Sequence, residues 1–393
     1  MHLLREIFAV TRMSLATLPQ RAGSALVVVV GIAGVVGVLV ALLAMRDGFQ
    51  NTLGATGRID EAIVLRGGAN SELSSQISRA DVTLIAEAPG ILRDAQGTPL
   101  VSAEVVVIAN IPKKATGTDA NVQVRGVGPQ AFALRTNLRL VAGRRFTPGR
   151  RELVVGRGAQ GQFSGLDLGT EITLNNEPWK VVGVFATDNA HDSEIWGDVE
   201  AVQSTYRRAV FQSLRVKLTD ATAFSTLKAA LTTDPRLRVE VATTREYYAT
   251  QSQRLRRLIN FLATTVAVIM AVGATFGALN TMYAAVASRG REIGILRALG
   301  FGALPVLVSV LLEGLFLACL GGILGAGVAW AVFDRYTVST LGANFSQVVF
   351  AFAVSWSLIF NALQWALAIG FLGALLPAIA AARLPITTAL RAR

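Results

Sequence analysis

SRGREIGILRALGF, residues 288–301, sets three arginines and one glutamate between two long stretches that are almost free of charge. The chain on its N-terminal side has 31 uncharged residues between Arg257 and Arg289, enough to cross a bilayer, which takes about 20 apolar residues. Three further stretches qualify. There are 24 uncharged residues between Arg21 and Arg46, 20 between Glu313 and Asp334, and 47 between Arg335 and Arg383. The last is too long for one span and could hold two.

Charge placement decides between these readings. Residues 1–23, 287–304 and 380–393 hold Arg5, Arg12, Arg21, Arg289, Arg291, Arg297, Arg383, Arg391 and Arg393 against only Glu6 and Glu292. Such an arginine excess in short loops marks the cytoplasmic side. Placing all three segments there requires an even number of crossings, hence four. The expected order is a cytoplasmic segment 1–23, a span 24–45, an external domain 46–257 and a span 258–286. A cytoplasmic loop 287–304, a span 305–333, a short external connection 334–354, a span 355–379 and a cytoplasmic tail 380–393 follow. Both termini then lie in the cytoplasm. Cleavage of the first span as a signal peptide is the alternative. Its apolar run exceeds the usual length, and ALLAMRD lacks a good small-residue cleavage site.

Composition agrees with a membrane protein. Apolar residues make up 52% and charged residues 16% of the 393, against about 45–50% and about 25% in soluble chains, and the mean hydropathy is +0.49. The net charge of +11 follows from the loop arginines, so a nucleic-acid partner is not expected. One cysteine, Cys319, and two histidines, His2 and His191, exclude an intrachain disulfide and a histidine-rich metal site.

Residues 46–257 carry 27 basic and 22 acidic residues, as an ordinary folded domain does. ELVVG, TEITL, WKVVGVF, SLRVKL and RVEVA read as strands, with NNEP as a turn joining two of them. TDATAFSTLKAALTTDP reads as a helix with Phe224, Leu227 and Leu231 on one face and Asp220 as a cap. SRADVTLIAEAPG reads as a second helix, opening at Ser78. The fold class is four transmembrane helices with a large mixed α+β domain between the first and second. A division into two subdomains is expected near residues 110–120, where IPKKATGTD reads as loop. REYYATQSQRLRRLINFLATTVAV contains no helix breaker, so the second span is expected to extend as a stalk. RDGFQNTLGATG after the first span is a weaker counterpart, its glycines loosening the helix.

GRGAQG (Gly156, Gly158, Gly161) matches the spacing of a dinucleotide-binding loop, but no room for a crossover helix follows it, so a turn with a short helix is the expectation. There is no phosphate-binding loop of the G-x-x-x-x-G-K-[ST] type and no G-x-S-x-G nucleophile setting.

On a helical wheel, Ile295, Leu296 and Leu299 gather on one side of the 288–301 segment, with Glu292 intruding, and Gly300 reads as its stop. Resting on lipid headgroups and docking in a groove of a soluble partner both remain open at this point. Here the sequence resembles a known family. SRGREIGILRALGFGALPVLVSVLLEGLFLACLGGILG is similar to the REIGxLRALG…LLEG…GGxxG signature of MacB/FtsX-type ABC transporter permeases. LLPAIAAARLPITTALRAR resembles the end of those proteins, and LVAGRRFTPGRRELVVGRGAQGQ…LGTEITLNNEPWKVVGVF their periplasmic domain. Gly290 stands where the family more often has a bulkier residue.

The resemblance implies a non-catalytic permease subunit of the bacterial inner membrane, working as a homodimer or heterodimer beside two copies of a separate ABC ATPase subunit. ATP and magnesium would be bound by that subunit, and no cofactor by this chain. Residues 287–304 would form the coupling helix, with Arg289, Arg291, Glu292, Ile293, Leu296 and Arg297 docking on the ATPase. Its motion would reshape the periplasmic domain, a process called mechanotransmission, for export or extrusion of a substrate, with a periplasmic membrane fusion protein as a further partner. An FtsX-like regulatory scaffold and LolC/LolE-like lipoprotein extraction share the architecture. Glu313 matches the LLEG glutamate. An ionisable residue inside a span is costly and usually paired, so it is expected to find a partner within the bundle. The glycines of LGGILGAGVAW allow close helix packing, within the bundle or in a dimer.

Overall fold

The computed structural model describes residues 2–342 and 345–385. In chain order these form α1 (His2–Ala16), α2 (Ala22–Thr56), β1 (Glu61–Arg66), α3 (Arg79–Ala86), β2 (Val101–Pro112), β3 (Asp119–Val127), α4 (Ala131–Leu134) and β4 (Arg139–Gly143). Next come β5 (Glu152–Gly156), α5 (Arg157–Gln162), β6 (Glu171–Leu174), β7 (Glu177–Ala186), β8 (Ile195–Asp198), α6 (Val199–Tyr206) and β9 (Ser213–Lys217). The remainder is α7 (Ala223–Thr233), β10 (Val239–Thr243), α8 (Thr244–Ser288), α9 (Gly290–Ala298), α10 (Ala303–Phe333), β11 (Thr337–Leu341), β12 (Gln347–Ala351) and α11 (Trp356–Ala382). Residues 386–393 of the expected tail, with Arg391 and Arg393, lie outside the described residues.

The chain divides into two compact units. One holds residues 1–47, 258–336 and 352–393, the other residues 48–257 and 337–351. In the first, α2, α8, α10 and α11 are each long and apolar enough to span a bilayer. Small residues bring these helices together. A side chain at Gly325 would stand 2.3 Å from the Ala33 carbonyl of α2, and one at Gly314 would stand 2.4 Å from Ala374 of α11. Gly321 and Gly322 likewise face α2 and α11. The LGGILG glycines therefore serve the bundle, where backbone contact replaces the hydrophobic drive that lipid removes. α2 contains 35 residues and α8 contains 45, about 50 and 70 Å at 1.5 Å per residue. Both exceed the roughly 30 Å apolar thickness of a bilayer. Gly48 and Gly54 do not interrupt α2, which continues to Thr56.

The second unit is built on one ten-stranded mixed sheet in the order β10-β1-β9-β2-β3-β8-β5-β7-β4, with β6 also on β7. β3 pairs β8 and β5 pairs β7 in parallel. α3 and α7 cover one end, burying Ile85, Leu227 and Leu231 against Val64, Leu214 and Val216. Ser78 caps α3 by accepting from the Asp81 amide, and Asp81 returns the contact. Asp220 accepts from the amides of Thr222 and Ala223 at the start of α7.

Three expectations change. The 110–120 segment is no subdomain boundary, because Lys113 bonds back to Thr118 and closes the β2–β3 hairpin inside a continuous sheet. The β6–β7 turn is Asn175-Asn176 alone, both at positive φ (46° and 65°), as a tight two-residue hairpin demands. Glu177 and Pro178 already pair in β7. Finally, the connection before the fourth span, expected to lie outside, is a β-hairpin, β11–β12. It joins the sheet unit, where Val349 enters the main core and its amide bonds Ser193 Oγ at 2.7 Å.

Candidate functional site

α9 begins directly after α8 and ends at Gly300, whose φ of +99° lets the chain reverse into α10. Gly290, Ile293 and Gly294 are buried, Ile293 in an apolar cluster with Met282, Val286, Val306, Val310 and Ala378. Arg297 turns the same way. Its Nη1 donates to the carbonyls of Ala382 (3.1 Å) and Leu384 (2.8 Å) at the end of α11, where helix carbonyls attract a cation. Arg289 donates through Nη1 to Ser14 Oγ (2.6 Å) and Glu313 Oε2 (3.1 Å). Arg21 donates to Glu313 Oε1 at 3.1 Å, and the Ser14 hydroxyl donates to Glu313 Oε2.

Glu313, 2% exposed, is thus clasped by two guanidiniums and a hydroxyl. These groups come from α1, the turn before α2 and the α8–α9 junction, while Glu313 itself lies on α10. A lone carboxylate at this depth would carry a large desolvation cost, and the two arginines offset it. Of the six α9 residues singled out from sequence, Arg289, Ile293 and Arg297 hold the helix to the bundle. Arg291 and Glu292 are exposed, and Leu296 is half-buried. Ile295 and Leu299, 45% and 73% exposed, complete the outer face. Arg21 and Ser14 were not legible as partners of Glu313, since only the fold brings α1 against α10.

A second charged cluster lies in the sheet unit, and it is almost wholly buried. Arg125 of β3 is 1% exposed. Its guanidinium grips Glu72 (2.7 and 3.0 Å), Glu194 (2.8 and 2.9 Å) and Glu104 (2.8 Å). Arg135, the residue that follows α4, pairs with Glu104 at 2.8 Å and stacks over Trp196. Arg215 of β9 pairs with the Tyr248 hydroxyl. Ser213 also donates to Glu72 Oε1, Gln123 to Glu194 Oε1 and Trp196 to Glu194 Oε2, each oxygen already accepting from Arg125.

Three arginines against three glutamates make a neutral group, which buried charge requires. Burial alone would raise the Glu104 carboxyl, but Arg135, Arg125 and Arg215 together outweigh it and bring it down to about 2. Glu194 is likewise held well below the carboxylate range, burial being overcome by Arg125 and His191. Burial pushes the His191 ring down to about 4 against the pull of Glu194, whose Oε2 lies 3.0 Å from Nδ1. His191 Nε2 accepts from Arg135 Nε at 3.4 Å. The ring is therefore neutral near pH 7.

The cluster ties the sheet to two other elements. Tyr247 and Tyr248, in the first turn of α8, contact Glu72 and Arg215. The β11–β12 hairpin is reached through Ser346, which donates to Gln123 at 3.3 Å. Among the described residues no group of three or more histidine, cysteine, aspartate or glutamate side chains is arranged to hold a metal ion. In the glycine-rich loop a Cβ at Gly156 would lie 2.3 Å from the Asp192 carbonyl, so the first glycine serves close packing of the backbone there.

Comparison with known proteins completes the description. The family model described as MacB-like periplasmic core domain matches residues 22–234, and that described as FtsX-like permease C-terminal matches residues 264–386. The macrolide export ATP-binding/permease protein MacB of Azoarcus sp. is 27% identical over 404 residues, 95% of this chain and 57% of that protein. MacB of Neisseria meningitidis serogroup A is 27% identical over 238 residues, 55% of this chain and 36% of that one. The chain thus spans between about a third and little over half of these relatives. The uncharacterized ABC transporter permease YvrN of Bacillus subtilis is 24% identical, with 93% of both chains covered. The solved periplasmic region of MacB from Actinobacillus actinomycetemcomitans overlaps 51% of this chain and 95% of its own, at 16% identity and a TM-score of 0.38.

Proposed function

From the premise that this chain belongs to the MacB-like, FtsX-like family of ABC transporter permeases, we propose that it transmits the work of an ABC ATPase subunit to its own sheet domain, in the service of substrate export. It is a multi-pass membrane protein. In this reading it sits in the inner membrane with both termini in the cytoplasm. ATP and magnesium are bound by the ATPase, present in two copies, and two permease chains, alike or different, stand between those and a periplasmic fusion protein.

The observation that carries the reading is the division of labour in α9. Arg289 and Arg297 are spent on internal anchorage, while Arg291, Glu292, Ile295 and Leu299 remain outward. A helix whose job was only to rest on lipid would turn its apolar side chains to the membrane and keep its glutamate away from them. Mixed charge beside apolar side chains suits a groove on a folded partner. Because α9 is bolted to Glu313, a push on it moves α1 and α10 with it. α8 runs unbroken from the α9 junction to Tyr248, and a continuous helix carries displacement along its length.

The test is the double variant Ile295→Asp, Leu299→Asp in the full chain. Both side chains are exposed, so folding should be kept. The expected result is loss of copurification with the ATPase subunit and at least a tenfold fall in the reconstituted complex's ATPase activity. Wild-type values for both would remove α9 from the docking role.

A further inference from the structure

α1 is held to the bundle along one side. Val10 and Ser14 are buried, and the Ser14 hydroxyl donates to Glu313 of α10. At 100° per residue, Leu4, Phe8 and Leu15 form a second stripe about 120° further round the helix. Leu4 is 73% and Phe8 69% exposed. Arg5 and Arg12 come next, about 70° beyond that stripe. Both are exposed, and neither has an acidic partner among the described residues. Glu6, the one acid of the helix, lies about 180° from the Leu4–Phe8 stripe. Apolar and basic side chains are thus side by side, with the carboxylate turned away, unlike the mixed outer face of α9.

The position of α1 says what this face meets. Only five residues, 17–21, separate it from α2, and four of them form a 3₁₀ turn with Pro19 near its start. Even fully extended, such a link reaches no more than about 18 Å. With Ser14 fixed on Glu313, α1 stays at the boundary where α2 and α10 enter lipid.

We propose that the outward face of α1 docks on a leaflet of anionic phospholipid. Leu4, Phe8 and Leu15 enter the acyl boundary, while Arg5 and Arg12 extend along their stems to the phosphates. Two unpaired guanidiniums with no carboxylate beside them complement a net negative surface. A zwitterionic leaflet would take the apolar side chains but set choline cations against the arginines. The proposal does not rest on the docking of α9.

The test uses the full chain in nanodiscs that mix phosphatidylcholine with phosphatidylglycerol. Cys319, the single cysteine, is removed by Cys319→Ser, and Leu4→Cys carries a bimane fluorophore. Phosphatidylglycerol or phosphatidylcholine bearing a doxyl quencher high on one acyl chain is then added at the same fraction. The anionic quencher is expected to act about threefold more strongly than the zwitterionic one, and less so at high salt. Arg5→Gln with Arg12→Gln should remove that preference, and Arg5→Lys with Arg12→Lys should keep it. If the glutamine pair lowers the melting temperature, Arg12→Gln alone should still reduce the preference. No quenching by either lipid, equal quenching by both, or a preference unchanged in the glutamine pair overturns the proposal. Loss of quenching on adding purified ABC ATPase subunit would also overturn it and assign the face to that protein.

Discussion

Replacing His191 by glutamine should flatten the response of the sheet unit to mild acid. The His191 ring is 2% exposed and is faced by Arg135 on Nε2, Glu194 on Nδ1, the rings of Trp196 and Tyr248, and the charge of Arg215. It titrates at about 4 when folded, against 6.5 when exposed. Below pH 6.5 the unfolded chain therefore takes up a proton that the folded chain refuses, and stability falls as the pH drops toward 4. At 1.36 kcal/mol per pH unit, this linkage removes about 3 kcal/mol across that interval.

The buried glutamates do not confuse the upper part of the interval. Glu72, Glu104 and Glu194 are held below their ordinary values, so their contribution is lost only below about pH 4.5. Asp192, raised by burial, acts in the opposite direction but is present in both proteins and cancels. The assay is thermal unfolding of the full chain in detergent by near-ultraviolet circular dichroism, to which the fully buried Trp179 and Trp196 contribute. A loss of about 3 kcal/mol corresponds to roughly 6–12 °C for a unit of this size. The wild type should lose most of that between pH 6.5 and 4.5, and His191→Gln little. Parallel curves for the two proteins would show that the ring is not held neutral inside the cluster.

Arg125→Met leaves Glu72, Glu104 and Glu194 buried without their shared cation. It should cost about 3–5 kcal/mol in chemical denaturation, part of which Glu72→Gln in the same chain returns. Glu313→Gln leaves Arg21 and Arg289 without an anion, so amide hydrogen exchange in α9 and the end of α1 should accelerate. Unchanged exchange would mean that Glu313 does not hold these elements. Gly325→Leu drives a side chain into the Ala33 carbonyl of α2 and should lower the melting temperature by several degrees. Gly327→Leu, with nothing within 4 Å of its Cβ position, should leave it near wild type.

Much of the architecture could be read along the chain. Uncharged stretches of 20 residues or more mark the spans because the cost of charge in lipid is paid locally, residue by residue. ELVVG and SLRVKL announce strands for the same reason, since their β-branched content acts within a few residues. The pairing of Glu313 was foreseeable in kind, because a buried carboxylate needs a cation, but its partners were not.

Three features were settled only when the chain folded. α9 is nine residues long, too short for periodicity to say which arginines face inward. The carbonyls of Ala382 and Leu384 and the carboxylate of Glu313 decided that. The β11–β12 hairpin leaves the apolar run before the fourth span because Val349 finds the sheet core, a neighbour more than a hundred residues away in sequence. The Arg125 cluster gathers Glu72, Glu104, Arg135, His191, Glu194 and Arg215, each an ordinary charged or polar residue in its own segment. Length and hydropathy are local quantities, so the sequence alone determined where the chain crosses lipid and marked five of the strands, β5, β6, β7, β9 and β10. Burial of charge depends on which distant residue arrives to neutralise it, so only the tertiary structure decided which of those residues work together.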